Sequence, residues 1–250
     1  DMVRACHEAG IEVVLEMPFT EGVPAQTALE CLRFYMLEYH VDGFVVNPYC
    51  VPWEMLCEDP LLKDIKLMRK DDAFQNIMRR FLKGDENMVN DVIWALPHHS
   101  ASDGKCNYIT TQTGFTLWDL VSYDCKHNEA NGENNTDGPD YNYSWNCGAE
   151  GPSRKRAVTT LRKNQVRNAF ALLLLAQGTP CILAGDEFYN SQKGNNNVYC
   201  QDNEIGWVEW NKLKTDDTLF NYVRELIAFR KKHPCLHRAE ELKGLDRTAC

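Results

Sequence analysis

Short runs of apolar, β-branched residues alternate along this chain with stretches whose apolar positions recur every three or four residues, the pattern of parallel strands separated by helices. The first run spans 11–17, after a helix that closes at Gly10. Residues 29–39 carry Leu29, Leu32, Phe34, Tyr35 and Leu37 at helical spacing and lead into a second run, 41–47. Weaker runs at 64–68 and 91–96 bracket a helix at 73–82, whose Met78, Phe81 and Leu82 are assigned to the core. A fifth run, 107–111, precedes a short helix around 117–123. Composition then turns to Asn, Gly, Asp and aromatics as far as 152, a polar loop of a length that usually means function or disorder. A long helix, 156–177, is apolar nearly all round in its later turns and is expected to be buried. The sixth run is 180–184, followed by a second polar loop, 186–203, and an amphipathic helix, 217–233. Six strands with interleaved helices suit most of an eight-stranded βα barrel, whose working face is made by the loops beyond the strand C-termini. On pattern alone a doubly wound sheet is the alternative.

With 250 residues, 44% hydrophobic and 25% charged, the chain can bury a sizeable core. A net charge of -9 with scattered Lys and Arg argues against nucleic acid or an anionic membrane as partner, and favours a neutral or protein ligand. The apolar stretches 169–176 and 180–184 are too short for a bilayer, which needs roughly 20 residues. Eleven cysteines without a CxxC pair are expected to be reduced, mostly buried thiols, and the sequons at 134–136 and 142–144 are discounted. His98-His99 lacks a third ligand at helical or hairpin spacing, so it is assigned to a loop, and neither a metal nor a cofactor is expected. The chain opens in the middle of a helical pattern with no start signal and no leader, so its ends look cut.

Three stretches carry a family resemblance. Asp119-Leu120-Val121-Ser122-Tyr123, Lys126-His127-Asn128-Glu129-Ala130-Asn131-Gly132-Glu133-Asn134-Asn135 and Ser144-Trp145-Asn146-Cys147-Gly148 closely resemble the loop after the seventh barrel strand of isoamylase-type debranching enzymes. Gln177-Gly178-Thr179-Pro180 through Ala184-Gly185-Asp186-Glu187-Phe188 is similar to their eighth strand, and Gly194-Asn195-Asn196-Asn197 with Tyr199-Cys200-Gln201-Asp202-Asn203-Glu204-Ile205 to the loop that follows. The resemblance implies a TIM (β/α)8 barrel of α/β class, incomplete at its N-terminus, with strands 3 to 8 represented. It makes 1–233 a partial catalytic-like domain and 234–250 the start of a C-terminal β domain or a linker.

Such enzymes hydrolyse α-1,6 branch linkages with retention, using one carboxylate as nucleophile and one carboxylic acid as proton donor, about 5–5.5 Å apart. The family's fourth strand resembles Val-Asp-Gly-Phe-Arg-Phe-Asp, ending in the nucleophile. Here Val41-Asp42-Gly43-Phe44 is followed by Val45, Val46 and Asn47. A neutral amide is a poor nucleophile, and Val45 cannot hold a carboxylate. The paired loss is coherent, because an Arg deprived of its anion would be an uncompensated charge. Gln112 and Thr113 stand where the resemblance implies a His-Asp pair, and Lys70 stands near the place of the general acid. The connections at 18–27 and 68–72 look shorter than the family's. Asp42 is read as structural, because residues five apart on a strand face opposite sides.

The resemblance makes Trp118, His127, Tyr141, Trp145, Asp186, Glu187, Tyr189 and Asn196 candidates for glucan contact, with scaffold roles favoured for His127, Asp186, Glu187 and Glu204. Tyr143 and Tyr199 are further stacking candidates, half or more of these aromatics serving to pack the loops. The expected function is that of a catalytically inactive protein of starch or glycogen metabolism, a glucan-binding or regulatory subunit. It would partner a catalytic isoamylase in the plastid stroma or the cytosol. An active α-1,6 debranching hydrolase, its acid carried by segments missing from this sequence and another carboxylate recruited as nucleophile, stays open, as does an unrelated regulatory protein that reuses the barrel.

Overall fold

The computed structural model describes residues 1–70, 72–98, 104–239 and 242. The chain divides into two compact units, Asp1–Asp71 with Ser102–Cys106, and Asp72–Ala101 with Asn107–Cys250.

The first unit alternates helix and strand: α1 (Met2–Glu8), β1 (Val14–Glu16), α2 (Ala25–Tyr39), β2 (Gly43–Val46), α3 (Trp53–Glu58), β3 (Lys66–Lys70), and then the start of β4 (Lys105–Asn107). Each strand pairs with its predecessor in parallel, as βαβ connections require. Phe44 and Val46 are fully buried among Ala28, Leu29, Leu32, Leu56 and Leu62. The two-residue period therefore turns Gly43 and Val45 to the opposite face of the sheet. Gly43 is needed where it stands, since a Cβ there would lie 2.3 Å from the Lys66 carbonyl oxygen. The helix α3 has no counterpart among the sequence expectations. It is six residues long, begins after Pro52, and ends at Asp59 just before Pro60.

The second unit is mainly helical: α4 (Asp72–Lys83), α5 (Val89–Ala95), α6 (Leu117–Leu120), α7 (Arg156–Leu175), α8 (Asn211–Thr215) and α9 (Thr218–Lys232). It also holds Asn107 at the end of β4 and the short β5 (Thr179–Pro180). Helix α7 packs on α4, α6 and α9, giving a core of Phe74, Met78, Val166, Phe170, Leu173, Leu174, Leu219 and Val223. The run 91–96 is not a strand but falls on α5. Val92 and Ala95, three apart, are buried while Ile93 and Trp94 are exposed, and that period belongs to a helix. The sixth run is corrected to the short β5, Thr179–Pro180, beyond which the Cys181 N–H donates to the Asn107 carbonyl at 2.7 Å.

Other expectations are corrected in detail. Phe81 lies outside the core on the exposed side of α4, whereas Met78 is fully buried. Among the ten described cysteines, all free thiols, only Cys106 and Cys147 are buried, and Cys57, Cys125, Cys200 and Cys235 are exposed. His98 Nδ1 is paired with the Trp94 carbonyl oxygen at 2.5 Å, while His99 lies outside the described residues. Residues 240, 241 and 243–250, most of the proposed C-terminal element, also lie outside them. No described helix is long and apolar enough to cross a membrane.

Candidate functional site

In the first unit, the segment Asp42 to Asn47 sets the chemistry at the end of β2. Asp42 accepts from the Val13 N–H at 2.6 Å and lies 2.8 Å from His7 Nε2. These two partners, the backbone N–H foremost, hold its carboxyl below the ordinary aspartate range. It is thus committed to joining β1 and β2 at their start. Val45 sits in register with Glu16 on β1 and Met68 on β3. Asn47, just past the strand, is exposed; its Oδ1 accepts the Tyr49 N–H at 3.0 Å and its carbonyl the Cys50 N–H at 3.0 Å. The side chain closes a turn and carries no charge. On β3, Lys66 pairs with Glu12, and the Arg69 guanidinium lies 5.3 Å from the centre of the Trp53 ring. The Lys70 backbone is in register with Cys106. Glu16 is therefore the single carboxylate on β1, β2 and β3.

In the second unit, Gln112 and Thr113 are exposed, and Thr111 Oγ1 donates to the Thr113 carbonyl at 2.9 Å. Gly114 N–H then bonds the Asn196 carbonyl at 2.9 Å. Thr116 caps α6, its Oγ1 accepting the Asp119 N–H at 3.2 Å. Beneath this turn lies Asp186, 2% exposed, which accepts the Leu117 N–H at 2.8 Å and the Thr110 hydroxyl. Desolvation pushes its carboxyl up to about 7. Arg79, likewise buried, donates to the carbonyls of Ile109 at 2.7 Å and Asn142 at 3.2 Å, and desolvation lowers its guanidinium to about 10.

The two polar loops of this unit are joined by side-chain amides. Asn128 and Asn196 bond reciprocally: the Asn196 N–H donates to Asn128 Oδ1 at 2.9 Å, and Asn128 Nδ2 to Asn196 Oδ1 at 2.8 Å. Asp137 Oδ2 accepts from Asn131 Nδ2 at 2.7 Å and Asn197 Nδ2 at 2.9 Å, which lowers its carboxyl. Asp119, fully buried, takes the Ser191 hydroxyl at 2.6 Å and the N–H groups of Gln192 at 2.7 Å and Gly194 at 3.3 Å. Gly138, at φ +71, leaves no room for a side chain, since a Cβ would fall 2.3 Å from Asn196 Oδ1. Arg162 anchors the far end of the first loop through the carbonyls of Gly151 at 2.7 Å and Asn146 at 3.0 Å.

This network fixes what each candidate can reach. Asn196, Asp186 and Tyr189 are buried, and Trp118 meets Tyr189 edge-on at 5.0 Å. Trp145 is half-buried against the core, its backbone N–H bonded to the Leu120 carbonyl at 3.0 Å. Glu187 turns back on the Gly185 N–H at 2.9 Å. His127 lies 3.2 Å from Glu150, which also accepts the Asp124 N–H at 2.9 Å. Tyr141 alone of the eight is almost fully open, at 87%. Two exposed indoles, Trp207 and Trp210, were not among the sequence candidates. The signal available was two tryptophans three positions apart directly after the matched string that ends at Ile205.

No family model matches the chain. The glycogen debranching enzyme of Serratia proteamaculans is 32% identical over 324 residues, covering 94% of this chain and 48% of that protein. Isoamylase 1, chloroplastic, of Arabidopsis thaliana is 33% identical, covering 83% of this chain and 35% of that protein. The chain is a homologue of the isoamylase-type debranching enzymes. It spans about half the length of these relatives or less. Within the match the alignment runs over 324 residues while using 94% of this chain's 250, so it is interrupted by gaps on this chain's side. The fold agrees: a crystal structure of a pullulanase from Anoxybacillus complexed with maltotetraose superposes with a TM-score of 0.67, at 18% identity, over 94% of this chain and 43% of that one. The parallel α/β architecture is that of a partial TIM barrel.

Proposed function

We propose that this debranching-enzyme homologue binds α-glucan without hydrolysing it, and serves a catalytic isoamylase as a binding or regulatory subunit. The observation that supports this reading is at the end of β2, where Asn47, whose amide oxygen already accepts the Tyr49 N–H, stands where the resemblance implies the nucleophile. Retaining hydrolysis needs two carboxyl groups about 5–5.5 Å apart, one to bond the anomeric carbon and one to protonate the leaving oxygen. Val45 and Asn47 supply neither, and Gln112 and Thr113 bring no charge to stabilise an oxocarbenium-like transition state. Tyr141, almost fully exposed, and His127, which is partly exposed, are the contacts proposed for glucan. The chloroplastic relative favours a plastid location, with the cytosol as the alternative. Residues 1–233 are assigned to the partial barrel, with 234–250 opening a further element.

The test is release of linear chains from amylopectin by the purified protein, measured as new reducing ends beside retention on a glycogen affinity gel. Retention without release is expected. Steady release above the blank overturns the reading. A hydrolase is favoured by one feature, Glu16 in register with Val45, a carboxylate beside the strand that lost its own. If release is seen, Glu16→Gln abolishes it under that second reading and leaves it unchanged otherwise.

A further inference from the structure

The two indoles that follow the second polar loop are held in place and left open. Trp207 is 59% exposed, yet its Nε1 donates to Asp202 Oδ1 at 2.9 Å and its backbone N–H to the Asn203 carbonyl at 2.9 Å. Trp210 is 64% exposed and leans on the buried ring of Phe188, centroids 5.5 Å apart at 36°. The segment between them is tied back through the Glu209 N–H to Asn190 Oδ1 at 3.0 Å. Rigid, exposed aromatic surface is unfavourable in water and is characteristic of binding sites. Holding the ring in one orientation also removes the ordering cost that a ligand would otherwise bear.

We propose that Trp207 and Trp210 form an α-glucan platform on the protein surface, distinct from the strand-end positions and from the loop candidates. This rests on the glucan-binding reading above. With the Trp207 N–H already satisfied, that indole offers only its ring, and a pyranose presents an apolar face to stack on it and a rim of hydroxyls to hydrogen-bond around it. The surrounding charges suit an uncharged ligand. Glu204 is paired with Lys193 at 2.5 Å and Glu209 with Lys212 at 3.7 Å, and Asp202 accepts the Trp207 Nε1–H, so the carboxylates beside the indoles are already engaged. Three residues of chain put the Cα atoms of the two tryptophans at most about 11 Å apart, a span within reach of an oligosaccharide.

The experiment titrates the 250-residue chain with maltoheptaose and, separately, glucose, following tryptophan fluorescence, and repeats retention on glycogen gel. Trp207→Ala and Trp210→Ala are each expected to weaken maltoheptaose about fivefold or more, with Trp207→Phe close to wild type and glucose failing to saturate. Urea midpoints confirm that each variant is folded, and the Phe variant keeps the ring should Ala not fold. Wild-type binding with unchanged affinity in both Ala variants overturns the platform and leaves the glucan reading intact. Absence of wild-type binding to either glucan overturns both. A change of sedimentation behaviour in the Ala variants with unaltered glucan affinity assigns the indoles to a protein contact and overturns the platform.

Discussion

The end of β2 in the first unit and the paired loops of the second are both built on asparagine, and the same side chain has opposite standing in the two. Asn47 is exposed and makes one side-chain bond, to the neighbouring Tyr49 N–H. Asn196 is 1% exposed and uses its Oδ1 and both Nδ2 donors, on Asn128, Pro139 and Asn142. One closes an exposed turn at a strand end; the other is a tie in a closed network. Under the proposed reading, the contrast separates the chemistry a glycoside hydrolase needs from the side-chain network that shapes its loops. A fold can shed the first without loss because ionised groups held for catalysis are seldom stabilising, whereas a buried amide network fails when one member is removed.

The sharpest way to break the comparison is Asn196→Asp. The change deletes the donors to the Pro139 carbonyl at 2.9 Å and the Asn142 Oδ1 at 3.1 Å, and sets a buried anion against both oxygens. A loss on the order of 3–5 kcal/mol is expected in urea unfolding of the second unit. A loss below about 1 kcal/mol would mean the loops are not locked through this residue. Asp119→Ala ranks next. It strands the Ser191 hydroxyl and the N–H groups of Gln192 and Gly194, and about 2–4 kcal/mol is expected, with Asp119→Asn recovering part of it.

The third effect is pH dependence. Asp186 has a folded-state pKa raised to about 7, against the ordinary 3.8, by desolvation. A group raised on folding contributes stability that is fully present below its unfolded pKa and lost as pH rises through the folded value. Its contribution therefore declines between about pH 4 and about pH 7 and is flat above. Asp216 runs the other way. Lys163 at 2.6 Å and the Thr218 hydroxyl hold it at about 2, so its contribution is present above 3.8 and lost as pH falls toward 2. Melting temperatures measured from pH 4 to 8 are expected to fall less steeply in Asp186→Asn than in the wild type. An identical slope would show that Asp186 is not the group responsible.

The β2 end was legible from sequence because a strand fixes register: Val41-Asp42-Gly43-Phe44 is contiguous, so Val45 and Asn47 are located by counting alone. The loops were legible as motifs but not as roles. Nothing in the order of residues says that Asn196 faces Asn128, 68 positions away, or that Tyr189 and Asp186 are buried, because those pairings are set by long-range packing. The run 91–96 misled for the same reason, since a short apolar stretch fits either period until its buried face is known. The exposure of Trp207 and Trp210 is not legible in the sequence, because an aromatic outside an apolar pattern looks the same there whether it packs inward or stands open.

The smallest expected effect is also the most discriminating, Asn47→Asp. It is the substitution made at Asn196, placed where the side chain meets water. The new carboxylate can still accept the Tyr49 N–H, now at 3.0 Å from Oδ1, so stability is expected to change by less than about 0.5 kcal/mol in either direction. Amylopectin hydrolysis is expected to stay at the blank. A nucleophile alone cannot protonate the leaving oxygen, and Val45, Gln112 and Thr113 still offer neither an acid nor a charge for the developing cation. Measurable release of linear chains by this variant would show that the remaining machinery is present and that one amide had silenced it. The loss of hydrolysis would then be a single recent step rather than a dismantled site, and the contrast between the strand end and the loops would reduce to one atom.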